Sequence, residues 1–158
     1  QIARECGVKI ALTLSDPAMV QYARQGLDEL LDDGVDLIFC NENEALLYTE
    51  TDHIDVALEK LKLLSNDVVI TLGSKGALVA NTEQHLQVAG RKVIAVDTNG
   101  AGDAFSGAFL YALNNGEDIQ TAAELAILIS SEVVSQFGPR LDIQDYAKLQ
   151  ATLKREAV

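Results

Sequence analysis

Basic residues are scarce: Lys and Arg together number 12 against 24 Asp and Glu, a formal net charge of −12. A field of that sign repels nucleic acid and anionic membrane surfaces, so neither is an expected partner. Any polyanionic ligand must be held locally, by backbone N–H groups, a metal ion or a few lysines. Cysteine is nearly missing as well. Cys6 and Cys40 form no CxxC and have no His pair beside them, which leaves neither a zinc pattern nor a disulfide framework and suggests a reducing, cytoplasmic compartment. Long apolar runs are lacking: "VVITL" and "LAILIS" fall far short of a membrane span, and no charged-then-apolar leader opens the chain. With no repeats, no low-complexity tract and no linker, 158 residues that are 48% hydrophobic are expected to form one compact domain. An initiator Met is also missing. "QIARECG" reads as the last turns of a helix with no strand before it, so a fragment of a longer chain is expected.

What is present alternates. "VKIALTL" (Val8 to Leu14), "VDLIFC" (Val35 to Cys40) and "DVVITL" (Asp67 to Leu72) are short runs rich in β-branched residues and read as buried parallel strands. Between them, "PAMVQYARQGLDELLDDG" places Pro17 at a helix start and Gly34 at its end, and "HIDVALEKLKLL" repeats apolar residues at helical spacing. Strand and helix in alternation predict an α/β fold, a doubly wound, mostly parallel sheet flanked by helices. After Leu72, "ALVA", "HLQV" and "KVIAV" suggest a hairpin or meander at one sheet edge. Helices are expected from Asp103 to Asn114, over "EDIQTAAELAILISSEVVSQFGP", and over roughly 143–154.

Polar and glycine-rich segments follow the strands: "SDP", "NENE" (Asn41 to Glu44), "GSKG" (Gly73 to Gly76) and "DTNGAGDAF" (Asp97 to Phe105). In open α/β sheets those carboxyl ends form the ligand crevice. Gly100, Ala101 and Gly102 stand at a helix entry, where backbone N–H groups lack intrahelical partners and small residues let an anion approach. A turn explains one glycine or both, and taken alone Asp103 reads as an ordinary first-turn acid that suits the helix dipole; neither reading readily explains a carboxylate beside a proposed anion hole. In phosphoryl transfer the pairing has a purpose: the carboxylate takes a proton from the attacking hydroxyl while the N–H groups stabilise the transferred charge. The pattern G-x-x-x-x-G-K-[ST] is absent, because Ala108 and Phe109 follow Gly107, and G-x-G-x-x-G fails at Phe105. His53 and His85 have no motif around them and read as surface residues.

"DTNGAGDAFSGAFL" resembles the carboxyl-terminal signature of the ribokinase/adenosine kinase family of carbohydrate kinases. "NENE" is similar to that family's Asn-x-x-Glu motif and "TLGSKG" to its Thr-x-Gly-x-x-Gly nucleotide loop, in the same order along the chain. The resemblance implies that Asp103 is the general base, with Gly100, Ala101 and Gly102 supplying the anion hole. It implies that Asn41 and Glu44 arrange Mg²⁺ and the ATP phosphates, partly through water, as suits a hard cation. Thr71, Gly73, Ser74, Lys75 and Gly76 would contact the nucleotide. A monovalent cation such as K⁺ would lie near Asp97, Asn99 and Gly138. Against those roles stand capping by Asn41, an exposed first-turn acid at Glu44 and a solvated lysine at Lys75. The family's enzymes are about twice this long, so the resemblance places this chain at the ATP-binding and catalytic portion, without the amino-terminal half and its lid.

Two functions compete on these residues. One is an ATP-dependent kinase of a sugar or nucleoside hydroxyl, of which this chain is the carboxyl-terminal portion. The other is a non-catalytic nucleotide-binding or interaction domain that keeps the fold without an acceptor site. A receiver-like regulatory domain would need an acidic cluster after the first strand, where only Asp16 stands. Sheet edges left open by truncation would invite pairing with another chain, a homodimer included.

Overall fold

A computed structural model describes residues 2–142 and residue 145. Apart from Asp145, the helix expected over 143–154 lies outside the described residues. The chain divides into two compact units, one running to Gly73 with Leu78–Gln87, the other comprising Ser74–Ala77 and the chain from Val88 onward.

The first unit begins with α1 (Ile2–Glu5), β1 (Ala11–Thr13), α2 (Pro17–Tyr22), α3 (Arg24–Asp32) and β2 (Val35–Asn41). It continues through α4 (Glu42–Thr49), α5 (Ile54–Leu61) and β3 (Ser65–Thr71). With β4 (Gly76–Ala80) and β5 (His85–Ala89), the strands make one sheet in the sequential order β1-β2-β3-β4-β5. β1 is parallel to β2, with Ala11 opposite Leu37 and Thr13 opposite Phe39. β2 is parallel to β3, and their ends come level at Asn41 and Thr71. The links from β3 to β4 and from β4 to β5 are too short for a parallel crossover, which gives the expected meander over "ALVA" and "HLQV".

Along β2 and β3 successive side chains enter opposite faces, and both faces are buried. Ile38, Cys40, Val68 and Ile70 pack with Leu27 and Leu58 of the helical layer, while Leu37, Phe39 and Val69 are buried on the other side. Burial on both faces is why these strands read as unbroken apolar runs rather than as alternating ones. β1 departs from that expectation. Its ladder covers three residues of the predicted seven, and Ala11 and Thr13 are exposed, because among the described residues β2 is its only partner. Asp36 fastens its start: Oδ2 accepts from the Ile10 N–H at 2.7 Å, and the Asp36 N–H donates to the Ile10 carbonyl at 2.8 Å.

The helix expected from Pro17 to Gly34 is two helices, separated at Ala23, whose φ of −113° and ψ of 20° are not helical. Neither Gly nor Pro marks that break. Tertiary contacts surround it instead: the Arg24 guanidinium lies 4.3 Å from the Tyr48 ring centroid, its Nε is 3.3 Å from Asp28 Oδ1, and the Tyr48 hydroxyl donates to the same oxygen at 2.6 Å.

The second unit is built on α6 (Ala101–Asn114) and α7 (Ile119–Val134), which pack on each other. α7 starts where Asp118 Oδ1 accepts from the Thr121 N–H at 2.8 Å, an N-cap that satisfies one orphan donor. Apolar residues surround α7 almost completely, and such a helix must be buried. On α6, Phe105 and Phe109 are buried one turn apart with ring centroids at 6.2 Å. "KVIAV" does not form the strand its β-branched residues predict. Residues 92–96 carry no ladder, and Val93, Ile94 and Val96 are exposed; β propensity expresses itself only against a partner strand, and none lies beside them among the described residues.

Candidate functional site

The carboxyl ends of the three parallel strands carry polar groups at one end of the first unit. Asp16, after β1, caps α2 by accepting from the Met19 N–H at 2.9 Å. Ser15 just before it has φ +74°, a left-handed conformation unusual for a residue with a side chain. After β2, Asn41 and Glu44 form a reciprocal capping box. Asn41 Oδ1 accepts from the Glu44 N–H at 2.9 Å, and Glu44 Oε2 accepts from the Asn41 N–H at 3.0 Å. Glu44 Oε1 also accepts from Asn41 Nδ2. The exposed first-turn acid weighed as an alternative is excluded: Glu44 is 4% exposed. Burial pushes its carboxyl above the usual range; the Asn41 N–H opposes that, and the nearby Asp16 charge adds to it. After β3, the Thr71 hydroxyl donates to the Cys40 carbonyl at 3.5 Å.

These residues fit a loosely held divalent ion. Each Glu44 oxygen accepts one hydrogen bond and retains a second acceptor position, which suits contact through water. No group of three or more His, Cys, Asp or Glu able to hold a metal by protein ligands alone occurs among the described residues.

"GSKG" forms a 3₁₀ turn over Gly73–Lys75, with Gly73, Ser74 and Lys75 exposed. Gly76 has a role in the fold that the motif reading missed. At φ +104°, a Cβ there would lie 1.9 Å from the Val88 carbonyl oxygen and 2.5 Å from the Gly90 nitrogen. Glycine is therefore required for backbone to meet backbone at this turn.

In the second unit the segment "DTNGAGD" assigns its two glycines to different tasks. Gly100 is the N-cap of α6 at φ +74°, and a Cβ there would come within 2.5 Å of Pro139 Cβ and 2.6 Å of its carbonyl oxygen. Backbone geometry explains this residue. Gly102 is different: it lies inside the helix with no positive φ, and nothing lies within 4 Å of where its Cβ would be. The fold makes no demand for glycine there.

Of the first donors, the Ala101 N–H reaches the Thr98 carbonyl at 3.3 Å and the Ala104 N–H reaches Gly100 at 2.8 Å. The N–H groups of Gly102 and Asp103 find no acceptor among the described residues. The Asp103 carboxylate is exposed and engages no described residue. The Asp103 amide is the donor that motif reading missed; only the helix boundary at Ala101 reveals it. Upstream, Asp97 Oδ1 accepts from the Asn99 N–H at 3.0 Å and Oδ2 from the Gly138 N–H at 3.1 Å, and these bonds hold its carboxyl below the usual range.

The expected site residues thus fall into two groups. Asn41, Glu44, Thr71 and Gly73 belong to the first unit; Ser74, Lys75, Gly76, Asp97, Asn99, Gly100 to Asp103 and Gly138 belong to the second.

A family model described as pfkB family carbohydrate kinase matches residues 1–145. The ribokinase of Lactococcus lactis is 33% identical over 154 residues, covering 97% of this chain and 49% of the relative. The adenosine kinase of Schizosaccharomyces pombe is 32% identical over 158 residues, 90% of this chain and 46% of its own. Among solved structures, the adenosine kinase from Sinorhizobium meliloti superposes with a TM-score of 0.90 at 32% identity, over 96% of this chain and 47% of that one. The chain spans about half the length of the curated relatives it matches.

Proposed function

The chain belongs to the pfkB family of carbohydrate kinases, and from that premise we propose that the whole protein transfers the terminal phosphoryl group of ATP to a hydroxyl of a sugar or nucleoside. One observation carries the proposal: an exposed carboxylate at Asp103, engaged by no described residue, stands beside two N–H groups, of Gly102 and Asp103, that have no acceptor among the described residues. Asp103 is the general base that takes the proton from the acceptor hydroxyl as its oxygen attacks. The anion hole expected at Gly100, Ala101 and Gly102 is shifted one residue along: the Ala101 N–H is already bonded to Thr98, and the N–H groups of Gly102 and Asp103 with the positive end of α6 stabilise charge on the transferring group. Asn41 and Glu44 arrange Mg²⁺ and the phosphates through water; the ion, when bound, offsets phosphate charge. The turn at Thr71, Gly73, Ser74 and Lys75 contacts the nucleotide, with Gly76 holding that turn in shape. The names of the relatives support adenosine and ribose as the first acceptors to try.

The test is Asp103→Asn in the whole protein, assayed for phosphotransfer from Mg·ATP. Turnover is expected to fall by roughly 10²–10⁴-fold, the contribution of a positioned base, while calorimetric ATP affinity stays unchanged. Near-normal turnover overturns the mechanism. Mg·ATP binding by the unaltered protein without transfer to any acceptor identifies a nucleotide-binding domain instead.

A further inference from the structure

The loop that follows α7 is fastened to the segment preceding α6 at three places. The Val134 carbonyl accepts from both the Val96 and the Asp97 N–H, at 2.8 and 3.2 Å. Pro139 lies against the Gly100 backbone so closely that no side chain fits between them. Between these two contacts, the Asp97 carboxylate bridges Asn99, two residues ahead, and Gly138, forty-one residues on. Both carboxylate oxygens therefore accept main-chain donors, and charge-assisted bonds of this kind are short and directional. Gly138 meets Asp97 through its N–H, and each Asp97 oxygen keeps a second acceptor position beside the bond it already accepts.

We infer that Asp97 is a positioning residue: its carboxylate clamps the loop after α7 onto the Asp97–Gly100 turn and thereby fixes the direction of the free N–H groups at the start of α6. The clamp stands on the geometry alone, and its effect on turnover rests on the phosphotransfer reading above. Asparagine is the informative replacement. It matches aspartate in shape but has one acceptor oxygen, so an amide NH₂ would face one of the two main-chain donors. Asp97 is half-buried at the surface, where water replaces a lost bond, and the loss therefore appears as misalignment of the turn.

Two measurements on Asp97→Asn test this. On the 158-residue chain, amide exchange by NMR is expected to show the Gly138 or the Asn99 N–H exchanging at least about tenfold faster, the central amides of α6 keeping their rates. In the whole protein, kcat is expected to fall by roughly 10- to 100-fold, the scale of a misplaced reacting group, while KM for the acceptor is unchanged. Should the Asn variant fail to fold, Asp97→Ser, which keeps one short acceptor, takes its place in both assays. Unchanged exchange at both amides removes the clamp. Faster exchange with an unchanged kcat removes its positioning role. A loss of kcat restored by raising K⁺ makes Asp97 a cation ligand and overturns the proposal. If Asp103→Asn leaves turnover intact, the phosphotransfer reading fails while the exchange result still decides the clamp.

Discussion

Gly102 and Gly107 occupy the same helix, and replacing each by alanine separates what the fold requires from what the chemistry requires. Neither position has a positive φ, and beyond the local helix backbone no described atom lies within 4 Å of the added Cβ at either. Folding energetics therefore favour both substitutions. Gly→Ala at a compatible site stabilises by about 0.4–1 kcal/mol, mainly by restricting the unfolded chain. At roughly 2–4 °C per kcal/mol for a chain of this size, the melting temperature should rise by about 1–4 °C in each case. Gly102 is expected near the low end, because helix propensity acts less in the first turn.

Turnover should divide the pair. A methyl group at residue 102 stands in front of the free N–H groups of Gly102 and Asp103, and losing one such donor costs about 10²–10³-fold in kcat. Gly107→Ala, more than a helical turn further on, should leave kcat within about twofold. Circular dichroism melts and a coupled ADP-release assay on the whole protein measure both quantities. If Gly102→Ala retains kcat within about threefold while its melting temperature rises, no anion approaches that helix start and the site assignment collapses. If it lowers the melting temperature instead, the space described around Gly102 is wrong.

Further predictions bear on single groups. Gly76→Ala should destabilise by roughly 2–5 kcal/mol, combining strain at φ +104° with overpacking against the Val88 carbonyl, and urea unfolding should show the midpoint falling in proportion. Asp118→Ala, which removes the α7 cap, should cost about 1 kcal/mol by the same measurement; a change below about 0.3 kcal/mol would mean that water replaces the cap fully. Glu44 has a raised carboxyl pKa, so the stability it contributes is greatest below its ordinary 4.5 and is lost as pH rises through the folded value. The stability of Glu44→Gln relative to the unaltered chain should accordingly grow with pH across that window; a difference independent of pH contradicts the assigned burial.

The sequence reveals most where one physical cause dominates. β2 and β3 are buried on both faces, so composition alone outlines them to within a residue or two. "NENE" has the spacing of a capping box as well as that of a phosphate motif, and the structure shows the box, formed by the same two side chains. "KVIAV" misleads because a strand is a relation between two segments and only one is written in that stretch. The break at Ala23 adjoins Arg24, whose stacking on Tyr48 no local pattern encodes, although its bond to Asp28 is an ordinary i,i+4 pair. The two glycines of "GAG" look equivalent in sequence. Only Pro139, far along the chain, makes Gly100 obligatory for the backbone, while nothing described around Gly102 requires a glycine. The bond from Asp97 to Gly138 is invisible for the same reason.

β1 is three residues long and, among the described residues, has β2 on one side only. Alternate backbone groups of a strand point to opposite sides, so half of β1's donors and acceptors are directed away from the sheet. Among the described residues the sheet ends at Ala11 and Thr13, and an unpaired strand edge is a template on which a further extended segment can pair.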